Sequence, residues 1–249
     1  MRIPVLLIYI LCVACSNTKE QKEKAETQPA STSIKYATGF TVSYRDNAKW
    51  VKVTYPFQGA ESGYSYLLVE KDQPIPEHGA DTRVITIPIE TIVCTSTTHI
   101  PLLDYLDETD RLVGFPSLNY ISSPVMRKRI DEGLVQELGV DKGMNIEVLA
   151  ALEPSMVMGY TMSSDFGQFK KVEALGSPVV INAEYLEKHP LGRAEWIKFM
   201  ALFFNKEKEA DSIFSVIESE YLKTNDLVKN EKSKPTVISG IVYGDAWFL

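Results

Sequence analysis

Thr91-Ile92-Val93-Cys94-Thr95-Ser96-Thr97-Thr98-His99 decides how the rest of the chain is read. An apolar run of strand length gives way to a cluster of hydroxyl residues and then to a helix-like segment over 99–106. The same texture recurs downstream. Short apolar runs at 92–95, 112–115, 155–159 and 178–182 alternate with helix-like segments at 124–132, 145–152 and 165–175. Strands alternating with helices pair in parallel and are covered on both faces, so residues 91–188 are expected to form an α/β lobe. Ligands of such sheets bind beyond the carboxyl ends of the strands, which makes the loops after these runs the candidate site.

Upstream, residues 34–90 are rich in Tyr, Val, Thr and Phe in short alternating runs, such as Thr41-Val42-Ser43-Tyr44 and Trp50-Val51-Lys52-Val53-Thr54-Tyr55. Turn signals at Arg45-Asp46-Asn47, Gly59 and Gly63 punctuate them, the pattern of an antiparallel β extension. Farther upstream, Met1 and Arg2 precede an apolar stretch too short to span a bilayer, and Ala14-Cys15 ends it where the sequence turns polar. Residues 1–14 therefore read as a lipoprotein signal peptide, with Cys15 as the lipidated residue. Residues 15–33 are Lys-, Glu-, Gln-, Ser- and Thr-rich without an apolar cluster and read as a flexible tether.

Downstream of His189-Pro190 come two helical segments, 192–204 and 206–229, with Asn205 as the stop between them. The second spans roughly 35 Å at 1.5 Å per residue. Together residues 189–230 form a linker. The apolar run 236–243 then looks like the first buried strand of another sheet, so residues 235–249 are expected to begin a C-terminal α/β lobe that is truncated here.

Composition narrows the function classes. Lys and Arg number 26 against 33 Asp and Glu, with no basic block after the tether, which argues against nucleic acid as partner. Of three Cys, Cys12 leaves with the signal, Cys15 carries lipid and Cys94 lies in an apolar run, so no disulfide is left to form. His78, His99 and His189 fall in different kinds of segment, a poor start for a bare-metal site. Ser96, His99 and Asp104 invite comparison with a hydrolase triad. However, there is no Gly-x-Ser-x-Gly elbow and the His follows the Ser by three positions, so no catalytic residue is expected.

Three stretches together resemble the ABC-transporter periplasmic binding proteins for vitamin B12 and iron-siderophore complexes. They are residues 92–99; Arg111-Leu112-Val113-Gly114; and Gly143-Met144-Asn145-Ile146-Glu147-Val148-Leu149-Ala150-Ala151-Leu152-Glu153-Pro154. With Asn182-Ala183-Glu184-Tyr185 and Pro190-Leu191-Gly192-Arg193-Ala194-Glu195-Trp196-Ile197, the likeness is to lipoprotein versions from Bacteroidetes and covers residues 91–249. The resemblance implies two Rossmann-like lobes joined by one long helix, with the ligand held between them and passed to an ABC permease. It implies no resident cofactor. It also implies an exported lipoprotein facing the periplasm that captures a metal chelate, either a ferric siderophore or a corrinoid such as cobalamin. A heme or free-metal-ion receptor is the alternative, ahead of a lipoprotein hydrolase and of a purely structural surface lipoprotein.

Within that frame Glu147 corresponds to the acidic residue that docks on the permease. A helix-start carboxylate beside a capping Asn145 is the plainer account of the same residue, and the two are compatible. Thr97, Thr98 and His99, after the first strand, and Phe115, Tyr120, Tyr160 and Tyr185, in the other strand-end loops, are the expected ligand contacts. The aromatic ones suit a broad, partly apolar ligand.

Overall fold

A computed structural model describes residues 31–140, 143–243 and 245–248. The expected signal peptide, Cys15 and most of the tether lie outside the described residues.

The N-terminal strands β1 (Phe40–Arg45), β2 (Ala48–Val53), β3 (Tyr64–Glu70) and β4 (Thr82–Ile87) form one sheet in that order. β1 and β2 make a hairpin whose two turn residues, Asp46 and Asn47, both have positive φ, the turn that matches strand twist and that Asp and Asn tolerate. β2 and β3 are antiparallel, but β3 and β4 are parallel. The expectation of a wholly antiparallel extension is therefore corrected to a mixed sheet. Residues 71–81, which contain Pro74 and Pro76, form a connection long enough to cross back instead of turning tightly.

The second sheet is parallel throughout. It is built from β5 (Ile92–Cys94), β6 (Leu112–Phe115), β7 (Gln136–Glu137), β10 (Met156–Gly159) and β11 (Val179–Ile181), in the order β11-β10-β5-β6-β7. Between β7 and β10 lies a small hairpin of β8 (Gly139–Val140) and β9 (Gly143–Met144), which the sequence reading did not foresee. The helices α1 (Ile100–Tyr105), α2 (Pro124–Asp131), α3 (Ile146–Leu152) and α4 (Phe169–Ala174) connect the strands.

Successive strand residues point to opposite faces. Ile92, Cys94, Leu112, Met156, Met158 and Val180 join one core with residues of α1, α2 and α5 (Pro190–Ala201). Val93, Val157, Val179 and Ile181 join another, with Leu149 of α3 and Val172 of α4. Both faces are covered, as the alternation of elements required. The N-terminal sheet shares the first core. Val51, Val53, Tyr66, Leu68, Ile85 and Ile87 belong to it, and the Phe40 ring lies 4.8 Å from that of Trp196 in α5. Tyr66 also reaches the edge of the parallel sheet, where its hydroxyl accepts the N–H of Ile181 at 2.9 Å.

α5 starts two residues earlier than expected, with Pro190 in its first turn and His189 Nδ1 accepting the Leu191 N–H at 3.1 Å. Trp196, Ile197, Phe199 and Met200 are all fully enclosed, so it is a core helix. Asn205, at φ 59°, turns the chain into α6 (Glu207–Val228). Ala210 and Phe214 bury the first half of α6, whereas residues from 219 on are exposed. The expected strand at 236–243 is shorter: residues 231–240 have no regular structure, and β12 (Ile241–Tyr243) pairs antiparallel with β13 (Ala246–Phe248). Among the described residues no helix is long and apolar enough to cross a membrane.

Candidate ligand-binding site

The parallel sheet reverses its winding direction between β5 and β10, and a crevice is expected beyond the carboxyl ends of the strands at such a point. A cavity of about 500 Å³ lies there. Thr95, Ser96 and Thr97 after β5, Phe115, Pro116, Ser117 and Tyr120 after β6, Val140 of the hairpin and Tyr160 after β10 line it. A second hollow of about 310 Å³ shares Tyr160 and extends along the loop to Phe169, past Met162. Tyr120 (71 % exposed), Met162 (70 %) and Val140 (63 %) put apolar surface at the rim. Ser96, Thr97 and Ser117 add hydroxyl side chains to the lining, whereas the Thr95 hydroxyl is itself buried.

Local chemistry fixes each wall. Ser96 caps the turn after β5: its Oγ accepts the Thr98 N–H at 3.3 Å and lies 2.9 Å from Thr98 Oγ1. After β6, Ser117 takes φ 55°, and its N–H donates to Gly139 O (2.7 Å) and Glu137 Oε1 (2.9 Å), which ties the loop to the hairpin bearing Val140. Gly139 and Gly143, which bracket that hairpin, are the local turn signal that the sequence reading passed over. After β10, the Thr161 hydroxyl donates to Ser163 O at 2.7 Å and the Gly167 N–H to Asp165 Oδ1 at 2.9 Å, so the loop folds on itself. Gly159 is required at the start of this loop, because a Cβ there would come within 2.2 Å of the Phe169 ring.

Of the expected contacts, Thr97, Phe115, Tyr120 and Tyr160 come together in the one cavity. Thr98 and Tyr185 stand behind it. The Thr98 hydroxyl donates to Glu184 Oε1 at 2.5 Å, linking the loops after β5 and β11 across the end of β10, and the Tyr185 hydroxyl donates to Thr161 O at 2.7 Å. They brace the walls. His99 is corrected outright: it is 0 % exposed, and neither ring nitrogen has a hydrogen-bond partner. A capping turn identifies where a helix begins but not which side chain turns inward, and here His99 turns into the lobe. Burial holds its imidazole neutral and lowers its pKa to about 3. The same observation dissolves the triad of Ser96, His99 and Asp104, since no bond joins His99 to either partner.

Burial also raises the pKa of Glu184, against the opposing bond from Thr98. Its second oxygen and the Thr95 hydroxyl are buried without a partner. Glu147 is exposed at the start of α3, on the side of the sheet where the cavity opens. Asn145 Oδ1 accepts the N–H groups of Glu147 and Val148, both at 3.1 Å, which fixes the backbone there. Among the described residues no three His, Cys, Asp or Glu side chains converge in a way that could hold a metal ion.

Comparison with known proteins places this geometry. Two uncharacterized lipoproteins of Methanocaldococcus jannaschii are similar: one is 27% identical over 86% of this chain and 55% of its own length, the other 31% identical over 89% and 57%. The chain thus spans little more than half the length of these relatives. Among solved structures, a periplasmic binding protein from Veillonella parvula shares the fold. It is 16% identical with a TM-score of 0.52, over 77% of this chain and 56% of that one. The family described as periplasmic binding protein matches residues 92–248, from the first strand of the parallel sheet to the last described strand, and the chain belongs to that family.

Proposed function

We propose that this chain is the substrate-binding part of an ABC importer that captures a metal chelate, a ferric siderophore or a corrinoid, through the cavity at the carboxyl ends of β5, β6 and β10. The observation that carries the reading is the wall chemistry. Phe115, Tyr120, Val140 and Tyr160 offer apolar and aromatic surface, and Ser96, Thr97 and Ser117 offer hydroxyl groups for directional bonds, a combination suited to a broad ligand that is greasy on its faces and polar at its edges. The motifs at 92–99, 111–114 and 143–154, with their likeness to vitamin B12 and siderophore receptors, support the same class. A free metal ion is a weaker reading because it would call for converging His or carboxylate ligands in the cavity instead of aromatic rings.

The proposed mechanism is capture at the cavity followed by delivery to a membrane permease, with no bond made or broken. Glu147 is the proposed docking residue: it is exposed, its backbone is fixed by Asn145, and it stands clear of the cavity lining. Cys15 is the proposed lipid attachment point, and the relatives described as lipoproteins support an exported, membrane-anchored protein.

The test is calorimetric titration of the protein with cobalamin, cobinamide, heme and a set of ferric siderophores. Saturable binding by a siderophore or a corrinoid that is weakened by Tyr160→Ala is the expected result. Binding of heme alone would move the reading to a heme receptor, and silence across the set would overturn it. For docking, Glu147→Arg should leave affinity intact and impair uptake in a reconstituted transporter; unchanged uptake would remove that role.

A further inference from the structure

The loop after β10 has a second set of neighbours, and they come from the N-terminal sheet. Arg83 of β4 pairs through Nε with Glu173 of α4, and its Nη2 donates to the other carboxylate oxygen at 3.3 Å. The same guanidinium stands over two rings, 5.0 Å from the centre of Tyr64 in β3 and 5.2 Å from that of Phe166 in the loop. Tyr64 and Phe166 meet edge to face at 5.4 Å, and Phe166 meets Phe169 at 5.5 Å. Phe169 in turn presses on Gly159. The loop 160–168 is therefore gripped at its far end by Arg83 and Tyr64 and at its base by the contact of Phe169 with Gly159. Between the grips, residues 162–165 are exposed, and the internal bonds from Thr161, Ser163 and Asp165 tie the loop to itself.

We infer that Arg83 and Tyr64 are positioning residues for the loop from Tyr160 to Phe166, which puts Tyr160 into the cavity wall and lines the adjoining hollow. A sheet that contributes no lining residue to the cavity thereby sets its width and hence which ligands fit. The inference rests on reading that cavity as the ligand site. Arginine suits the role: one flat group grips a carboxylate with two N–H bonds while its face lies on aromatic rings, which a lysine ammonium cannot reproduce.

Hydrogen exchange of the ligand-free protein tests this directly. In Arg83→Lys, which keeps the charge, the amides of 161–167 should exchange about tenfold faster while those of β1 to β3 and the melting temperature stay close to wild type. Tyr64→Leu should do the same. Arg45→Lys is the control, since Arg45 stands 4.3 Å over the Trp50 ring in the same sheet but touches no part of the loop; it should leave 161–167 unchanged. Unchanged exchange at 161–167 in Arg83→Lys would overturn the inference. So would faster exchange spread evenly over the sheet and the loop, the mark of a merely structural role. Ferric desferrioxamine, titrated against wild type and Arg83→Lys, supplies the second readout: if wild type binds it, the variant should bind at least several-fold more weakly with the ligand-free protein still folded, and equal affinity would overturn the inference. A wild-type protein that binds none of the chelates would sink the ligand reading alone, and the exchange data would still decide the positioning role.

Discussion

Buried polar groups are treated in two opposite ways in this molecule. Where residues 35–39 cross α5, the buried carboxylates have partners on both oxygens. Glu195, 0 % exposed, accepts the N–H groups of Lys35, Tyr36 and Ala37 and pairs with Lys198 at 3.0 Å. Glu187 accepts from the N–H groups of Thr38 and Gly39, the Thr38 hydroxyl and the Trp196 indole. At the carboxyl end of the parallel sheet, by contrast, His99, the Thr95 hydroxyl and one oxygen of Glu184 are buried without partners. A matched buried carboxylate fixes one arrangement of the chain, and an unmatched polar group costs stability. The first region is a clasp that joins the segment following the proposed tether to the long helices. The second is the backing of the cavity, where the residues are less well satisfied.

The largest effect is expected in the clasp. Glu195→Ala removes the acceptor for three backbone N–H groups and the nearest carboxylate partner of the buried Lys198 ammonium. Breaking such a pair costs about 3–5 kcal/mol, which urea denaturation should register. Because Glu195 lines no part of the cavity, chelate affinity of the folded fraction should not change. A loss below about 1 kcal/mol would mean that the clasp is not what holds the segment.

At the cavity end the next effect depends on pH. The His99 pKa, about 3 when folded against an ordinary 6.5, is depressed, so the unfolded chain takes up the proton first. Its contribution to stability is whole above pH 6.5 and is lost as pH falls from there towards 3. At about 1.4 kcal/mol per unit of pH, roughly 2.5 kcal/mol should be gone by pH 4.5. His99→Leu should flatten that slope in denaturation curves measured from pH 7 to 4.5. A slope identical to wild type would show that the imidazole is not the group responsible.

These two regions also differ in how far they could be read from the sequence. The strands of the parallel sheet were legible because Ile92–Cys94, Met156–Gly159 and Val179–Ile181 are unbroken apolar runs, and Thr97, Phe115, Tyr120 and Tyr160 followed from the rule that loops after such strands meet. The inward turn of His99 was not legible, since helix capping and burial are decided by different neighbours. Nor was the clasp: Glu195 and Lys35 lie far apart in the chain, and nothing local in either distinguishes a matched acid from a solvated one. The parallel pairing of β3 with β4 was hidden for a related reason, because alternation gives a strand its faces but not its partner. β7 and the β8–β9 hairpin have strands of two residues each, too short for any periodicity to register.

A cavity-lining residue should separate binding from stability. Tyr120 is largely exposed, so Tyr120→Ala removes little buried surface and should leave the denaturation midpoint within experimental error. If its ring forms part of the wall for a bound chelate, affinity should fall by about tenfold, near 1.4 kcal/mol. Unchanged affinity together with unchanged stability would take Tyr120 out of the site.

The smallest effect is expected at Glu184, and its sign is what matters. Burial raises the pKa of this carboxyl, so the folded protein holds the proton more tightly than the unfolded chain. Its contribution to stability is therefore greatest below the ordinary pKa of 4.5 and declines as pH rises through the raised value. Glutamine has the shape of the protonated acid: its Oε1 can accept the Thr98 hydroxyl as Glu184 Oε1 does, and its amide places a neutral group where the unpartnered oxygen lies. Glu184→Gln should thus raise stability at pH 7 by a few tenths to about 1 kcal/mol and remove the decline above pH 4.5. The opposite sign would put Glu184 with the clasp acids: the attraction of Arg193, which opposes the effect of burial, would then outweigh desolvation, and the carboxylate would act as a brace between the loops after β5 and β11 instead of a charge borne at a cost.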